Sequence, residues 1–465
     1  MRATGRRLAA AGLGLVGILA WAAGTYGLDQ NLDVTGNVRL RLRHIDSPDT
    51  VDLAGTYGEP VRQGFSLKHR LVLEVAYPLT DQVRAGGMLR VSNEGSAVLE
   101  AGPDYLSSEF GSAFVAYESP AVRTRLGYYT AAYTPLTLMR WDTKDDPEGG
   151  SGCGCPGAGG AAGAILGETL EELGPNLTFE GARVSLTPKG SIGLDGFLAR
   201  PRQAGEDYQI ITYGGRAGLI SYLKSRASFL DLGLLAVRSE EDEHSLGGTA
   251  SAGPAFKKTV YGLSWKAPLA RTISLDGEWT ITKSSGDVKK NGKGGIVSLA
   301  VRPHAAVRVE AAYLYLSPNW DSYFRALSYN PDRQGVRLKL EVERGPALVA
   351  LFARYLTTIE AAAEQGGGKT AYPTLSVRGR LKVNPVLNCG IAAIYSGMGD
   401  ADDGVTLNAA TKRITAIGTL TFEFARDSAL SLEERYIWNR GDELTAADRD
   451  YEVSMLSLYV RAGIW

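Results

Sequence analysis

The stretch Val336-Arg337-Leu338-Lys339-Leu340-Glu341-Val342-Glu343 alternates apolar and charged residues without a break. Successive side chains of a strand point to opposite sides, so Val336, Leu338, Leu340 and Val342 form one face and Arg337, Lys339, Glu341 and Glu343 the other. A soluble sheet could present the same octet. The wider chain decides the matter, because such segments recur to the last residue and their connections are alternately short and long. A barrel threaded through a membrane has short turns at one rim and long loops at the other. Hydrocarbon cannot solvate the charged face, since a basic residue at the midplane of such a barrel costs ~2 to 4 kcal/mol. The charged face therefore borders water and the apolar face lipid. The expected fold is all-β, a transmembrane antiparallel up-and-down β-barrel of about 20 strands.

Alternating runs rich in β-branched and aromatic residues cover 31–44, 64–77, 82–91, 110–117, 122–129, 177–186, 192–200, 208–223, 227–238 and 258–267. They continue over 272–283, 296–302, 307–316, 336–343, 347–356, 372–383, 387–396, 413–424, 429–438 and 451–465. The tight connections at 78–81, 119–121, 188–191, 268–270, 303–304, 345–346, 384–385 and 427–428 are rich in turn formers. These belong at the periplasmic rim, together with both chain termini. Longer, often acidic connections, such as those containing 240–243 and 400–403, belong outside.

The chain has 465 residues, 57 glycines, 22 tyrosines and a formal net charge of −1, and its mean hydropathy is −0.10. A barrel hides its apolar residues in every second position, so these averages are neutral on the question. Residues 1–24 carry Arg2, Arg6 and Arg7, an apolar run from Leu8 to Trp21 and then Ala22, Ala23 and Gly24. That order reads as a cleavable secretory signal peptide, leaving 25–465 as the barrel. The Arg6-Arg7 pair invites a twin-arginine reading, but its surroundings lack the rest of that signal. No other stretch approaches the roughly 20 apolar residues of a spanning helix. His44, His69, His244 and His304 lie on different strands or loops, with no serine or carboxylate signature beside them, so an enzyme is not expected. Neither a cofactor nor a nucleic-acid partner is expected.

With the apolar positions on lipid, the inward set on the first five strands is Arg39, Arg41, Arg43, Lys68, Arg70, Arg84, Arg90, Arg123 and Arg125. Arg378, Arg380 and Lys382 join it late in the chain, and closure of the barrel brings the last strands beside the first. Clustered cations in a wet pore concentrate anions. Asp276, Glu278, Glu310, Glu341 and Glu343 are expected to form an opposing acidic wall and a transverse field. The plainer reading is charge pairing across strands in any wet lumen. The third outer loop, 131–174, is the longest and carries Asp142, Lys144, Asp145, Asp146 and Glu148. It also contains Cys153-Gly154-Cys155, which fits a disulfide, half a metal site or a redox pair. Cys389 falls on a lipid-facing strand position. Asp400, Asp402, Asp403 and Gly404 approach a calcium loop, but position twelve is Thr411, so a solvated acidic loop is expected.

Tyr77, Tyr117, Trp265, Trp279, Tyr313, Tyr355, Tyr395 and Trp438 lie near strand ends or on the apolar face, as an interfacial aromatic girdle would have them. With the signal peptide, the hairpin rhythm and the terminal aromatic Trp465, the chain resembles bacterial outer-membrane porins. The opening strand with Arg39, Arg41 and Arg43 is similar to the alginate-export type. The resemblance implies residence in the outer membrane among lipid and lipopolysaccharide, and passive passage of small hydrophilic solutes, preferably anions. It also implies that the third loop folds inward as a constriction, with Pro147-Glu148-Gly149-Gly150 similar to the family's acidic tip, and a homotrimer as a common assembly. The alternative is a barrel that sheathes a partner cytochrome; lacking Cys-x-x-Cys-His, it would hold no covalent haem itself.

Overall fold

The computed structural model describes residues 33–46, 64–92, 107–110, 113–139, 177–187, 192–201, 210–223, 228–241, 256–285, 290–324, 329–360, 368–400, 411–425, 428–440 and 451–464. The strands are β1 (Asp33–Asp46), β2 (Gly64–Pro78), β3 (Val83–Ser92), β4 (Ser107–Phe110), β5 (Phe114–Glu118), β6 (Val122–Ala131) and β7 (Leu177–Leu186). They continue as β8 (Ile192–Pro201), β9 (Ile211–Leu223), β10 (Ser228–Glu241), β11 (Phe256–Ala270), β12 (Ile273–Ser285), β13 (Lys290–His304) and β14 (Val307–Leu316). The last are β15 (Arg333–Arg344), β16 (Ala347–Thr357), β17 (Thr370–Lys382), β18 (Leu387–Asp400), β19 (Thr411–Ala425), β20 (Ser428–Arg440) and β21 (Tyr451–Ile464).

Apart from β4 and β5, each strand pairs antiparallel with the next, and β1 pairs with β21 over Gly36↔Ile464 to Asp46↔Ser454, which closes the sheet. β4 and β5 both pair with β3 and are two halves of one interrupted strand, so the wall has 20 strands. The break lies beside Gly127, whose φ of 90° is open to glycine, and whose Cβ would meet the Ala113 carbonyl at 2.0 Å. Pairing of the first strand with the last removes the open edges that a sheet crossing hydrocarbon could not carry.

Exposure follows the alternation. In β15, Val336, Leu338 and Val342 are exposed while Arg337 is buried inside. The same holds around the wall: Leu126, Leu198, Leu234, Leu263, Leu299, Leu375 and Leu456 all stand out from the barrel. Cys389 shares a row with the exposed Leu381 and Leu420, on the outer side. Tyr77, Tyr117, Trp279 and Tyr313 are exposed on that same side. Two outer glycines are roofed by indoles: the Trp265 ring lies 2.4 Å from where a Gly277 Cβ would sit, and Trp279 lies 2.6 Å from that of Gly295. Glu434, in the middle of β20, interrupts the apolar outer band there. It is exposed between Leu432 and Tyr436, opposite Gly418 and Leu456.

The tight connections and both termini of the sheet share one rim, where Asp33 faces Ala76 and Ile464 faces Gly36. Turn residues explain the reversals there: Asn384 Oδ1 accepts from Val386 and Leu387 N–H, and Ser119 Oγ accepts from Val122 N–H. Several strands run past their alternating runs at the opposite rim. β13 begins at Lys290 rather than 296, because Gly292, Gly294 and Gly295 extend the ladder without marking either face.

Candidate functional site

The lumen wall is the candidate site, and its rows follow from register. Arg39 lies opposite Arg70 on β2 and Arg461 on β21, and Arg41 lies opposite Lys68. These positions alternate with the exposed Leu40 and Leu42. Arg90 lies on β3 opposite Val72. Further along, Arg84 pairs with Glu118 at 2.7 Å, and Arg123 stands opposite Glu118 in the ladder. Arg125 sits 3.8 Å above the Phe114 ring centroid and 3.8 Å from Glu74. Arg378, Arg380 and Lys382 lie together at the short-turn end of β17. The four strands β18 to β21 separate them from β1, and carry the buried Arg413 and Arg435.

The carboxylates of β12 to β15 stand among cations. Glu310 accepts from Arg308 and from Arg337, each at 3.2 Å, and Glu341 pairs with Lys339 at 2.9 Å. Asp276 faces Lys266 in the ladder, and Glu343 is exposed at the short-turn rim. Glu278 is almost wholly buried, for a reason given below. Charges of both signs thus share this side of the lumen.

Sequence reasoning missed the most regular feature of the wall. Arg337, Arg354, Thr374, Ser396 and Arg413 form one continuous row across β15 to β19. All five point inward and are 6% exposed. Arg354 Nη2 donates to Thr374 Oγ1 at 3.5 Å, and Arg337 donates to Ser298 Oγ at 3.4 Å. The signal for Arg354 was faint because β16 is apolar on both faces: Val349 and Leu351 face out, while Phe352 and Leu356 are buried inside.

Two connections from the long-loop rim lie against the inner wall. After β6, Tyr133 donates its hydroxyl to Asp195 of β8, and Asp195 also accepts from Arg183 Nε at 3.0 Å and from Ser185 Oγ. One residue on, the Thr134 hydroxyl donates to Glu278 Oε1, and Leu136 N–H donates to Glu278 Oε2 at 3.0 Å. Burial, then the Asp195 bond, holds the Tyr133 phenol well above the usual tyrosine range, so it remains a donor. The connection after β14 lies beside this segment: Leu138 bridges to Phe324, Trp320 Nε1 donates to Thr280 Oγ1 at 3.1 Å, and Asp321 pairs with Lys258 at 2.9 Å. Tyr129, Phe179, Phe197 and Phe324 pack between them, with ring centroids 5.5 to 5.7 Å apart.

Beneath 134–139 lies a recess of about 340 Å³, lined by Arg216, Asp231, Ser264, Lys266, Asp276, Glu278, Ser298 and Arg337 among others. Arg216 and Asp231 pair at 2.9 Å within it. The remaining sequence candidates, Asp142, Lys144, Asp145, Asp146, Glu148, Cys153 and Cys155, lie outside the described residues, as does the signal segment.

A closed, antiparallel, up-and-down wall of 20 strands, apolar outside and charged within, with inward-lying loop segments, decides the architecture. It is an up-and-down β-barrel. OccK3 (OpdO) of Pseudomonas aeruginosa is similar over 93% of this chain and 96% of its own, at 11% identity and a TM-score of 0.47. OccD3 (OpdP) of the same organism covers 93% of this chain and 92% of its own, at 10% identity and a TM-score of 0.48. OccAB3 of Acinetobacter baumannii covers 93% and 100%, at 12% identity and a TM-score of 0.45. No protein-family model and no curated protein sequence matches this chain.

Proposed function

We propose that this barrel is a passive channel of a Gram-negative outer membrane, admitting small hydrophilic solutes with a preference for anions. Residues 1–24 direct export, lipid and lipopolysaccharide surround the apolar wall, and the loop at 131–174 narrows the lumen. The observation that carries the anion preference is the inward row Arg337, Arg354, Thr374, Ser396 and Arg413. Arg337 in this row pairs with Glu310, and the hydroxyls of Thr374 and Ser396 supply donors without adding negative charge. A solute anion drawn along such a row meets three cations and two hydroxyls in five successive positions, which raises its local concentration. The cytochrome-sheath alternative is disfavoured because the chain's own segments 132–139 and 317–324 occupy the inner wall where a sheathed protein would lie.

The test is reversal potential in a salt gradient across a planar bilayer. Replacing Arg354 and Arg413 together by Gln lowers the anion-to-cation permeability ratio, and replacing Arg39, Arg41 and Arg43 by Ala lowers it further. Cation selectivity in the unmodified channel would refute the reading.

A further inference from the structure

Glu278 was a candidate ion-sorting charge, yet its carboxylate is buried and turned toward the chain itself. Both of its oxygens take hydrogens from the segment after β6: Oε1 from the Thr134 hydroxyl and Oε2 from the Leu136 N–H at 3.0 Å. A second inner-wall carboxylate does the same from β8, where Asp195 accepts the Tyr133 hydroxyl while Arg183 and Ser185 hold it in place. Three of four successive residues, Tyr133, Thr134 and Leu136, are thus tied to two acids on strands far apart in the wall. Charge-assisted bonds of this kind are the strong ones, and both acids are held where neither competes freely with bulk ions. Leu136 is fully buried as a result, packed with Leu314, Leu316, Trp320 and Tyr329.

We propose that Glu278 and Asp195 are positioning residues that fasten the root of the third loop inside the lumen, so that they set the width and steadiness of the path rather than its charge preference. This rests on the channel reading for its electrical consequence, but the fastening itself is measurable without conduction. A carboxylate that sorts ions keeps an oxygen for them, whereas an anchoring one spends both on its own chain. Glu278 meets the second description. The recess beneath 134–139 then exists because the anchors hold that segment as its roof. Releasing them merges the recess with the lumen.

The experiment uses the full chain with Cys153, Cys155 and Cys389 replaced by Ser, and adds Leu136→Cys as a reporter. In detergent or vesicles, a water-soluble maleimide should label the reporter slowly. With Glu278→Ala or Asp195→Ala the labelling rate should rise at least ten-fold, and an unchanged rate overturns the proposal. In single-channel recordings, Glu278→Ala should raise both mean conductance and open-channel current noise several-fold while keeping the reversal potential. A quiet channel with a shifted reversal potential would make Glu278 an ion-sorting charge and also overturns it. Should Glu278→Ala fail to fold, the pair Thr134→Cys with Glu278→Cys serves instead: quiet when oxidised and noisy once reduced. Equal noise in the two states refutes the anchoring. If no variant conducts while labelling still accelerates, the channel reading fails and the anchoring stands.

Discussion

Replacing Glu434 by Leu should stabilise the barrel. Glu434 stands six residues from each end of β20, which spans Ser428 to Arg440. At roughly 3.3 Å per residue and a tilt of about 40°, it lies about 15 Å from either end of its strand. That is the middle of an apolar band roughly 25 Å tall, where a charged side chain costs the most. Basic residues there cost ~2 to 4 kcal/mol and acids less, so Glu434→Leu should gain about 1 to 2 kcal/mol. Local packing offers no resistance, because Gly418 opposite has nothing within 4 Å of where a Cβ would sit and Leu456 on the other side is exposed. The assay is reversible urea unfolding from lipid vesicles, followed by tryptophan emission, with Leu432→Glu as the reverse change two residues away on the same face. That variant should lose stability by a similar amount. If Leu432→Glu is neutral and Glu434→Leu brings no gain, this face does not meet hydrocarbon, and the assignment of inside and outside fails with it.

Other perturbations test separate parts of the molecule. Gly127→Ala forces a side chain into a φ of 90° and against the Ala113 carbonyl, and should lower unfolding stability by about 1 to 3 kcal/mol in the same urea titration. A variant keeping Trp279 as its one tryptophan should be quenched by brominated acyl chains. One keeping only Trp320, which is buried inside against Thr280, should not. Arg337→Ala removes one of the two cations on Glu310, and should cost about 1 to 3 kcal/mol while shifting the reversal potential toward cations.

The outer face was legible in the sequence because lipid imposes one rule on it. Val336, Leu338 and Val342 are exposed and apolar for the same reason as Leu40 and Leu42 near the start of the barrel, so the alternation could be counted strand by strand. Where glycines replace side chains the mark fades, as at Gly292 and Gly295. There the strand proved longer than its alternating run. Turns were legible through Pro78, Asn384 and Ser119, where local hydrogen bonds at Asn384 and Ser119 need no knowledge of the rest of the fold.

The inner face follows no single rule, and that is why the site was read less well. A lumen filled only with water would demand polar residues at every second position, and Arg354 would then have stood out as plainly as Arg337. Instead the chain lays 132–139 and 317–324 against its own wall, which turns part of the lumen into a packed interior. Leu314, Leu316, Leu356 and Phe197 face inward because they meet Trp320, Tyr329 and Phe324 rather than water. An inward position is therefore apolar where a loop covers it and charged where none does, and covering depends on contacts between residues more than a hundred apart, such as Thr134 with Glu278. The same covering changes what a charge does. Glu341 stands beside the water with Lys339, while Glu278, one of the acids read with it as a single wall, is enclosed by the segment it holds.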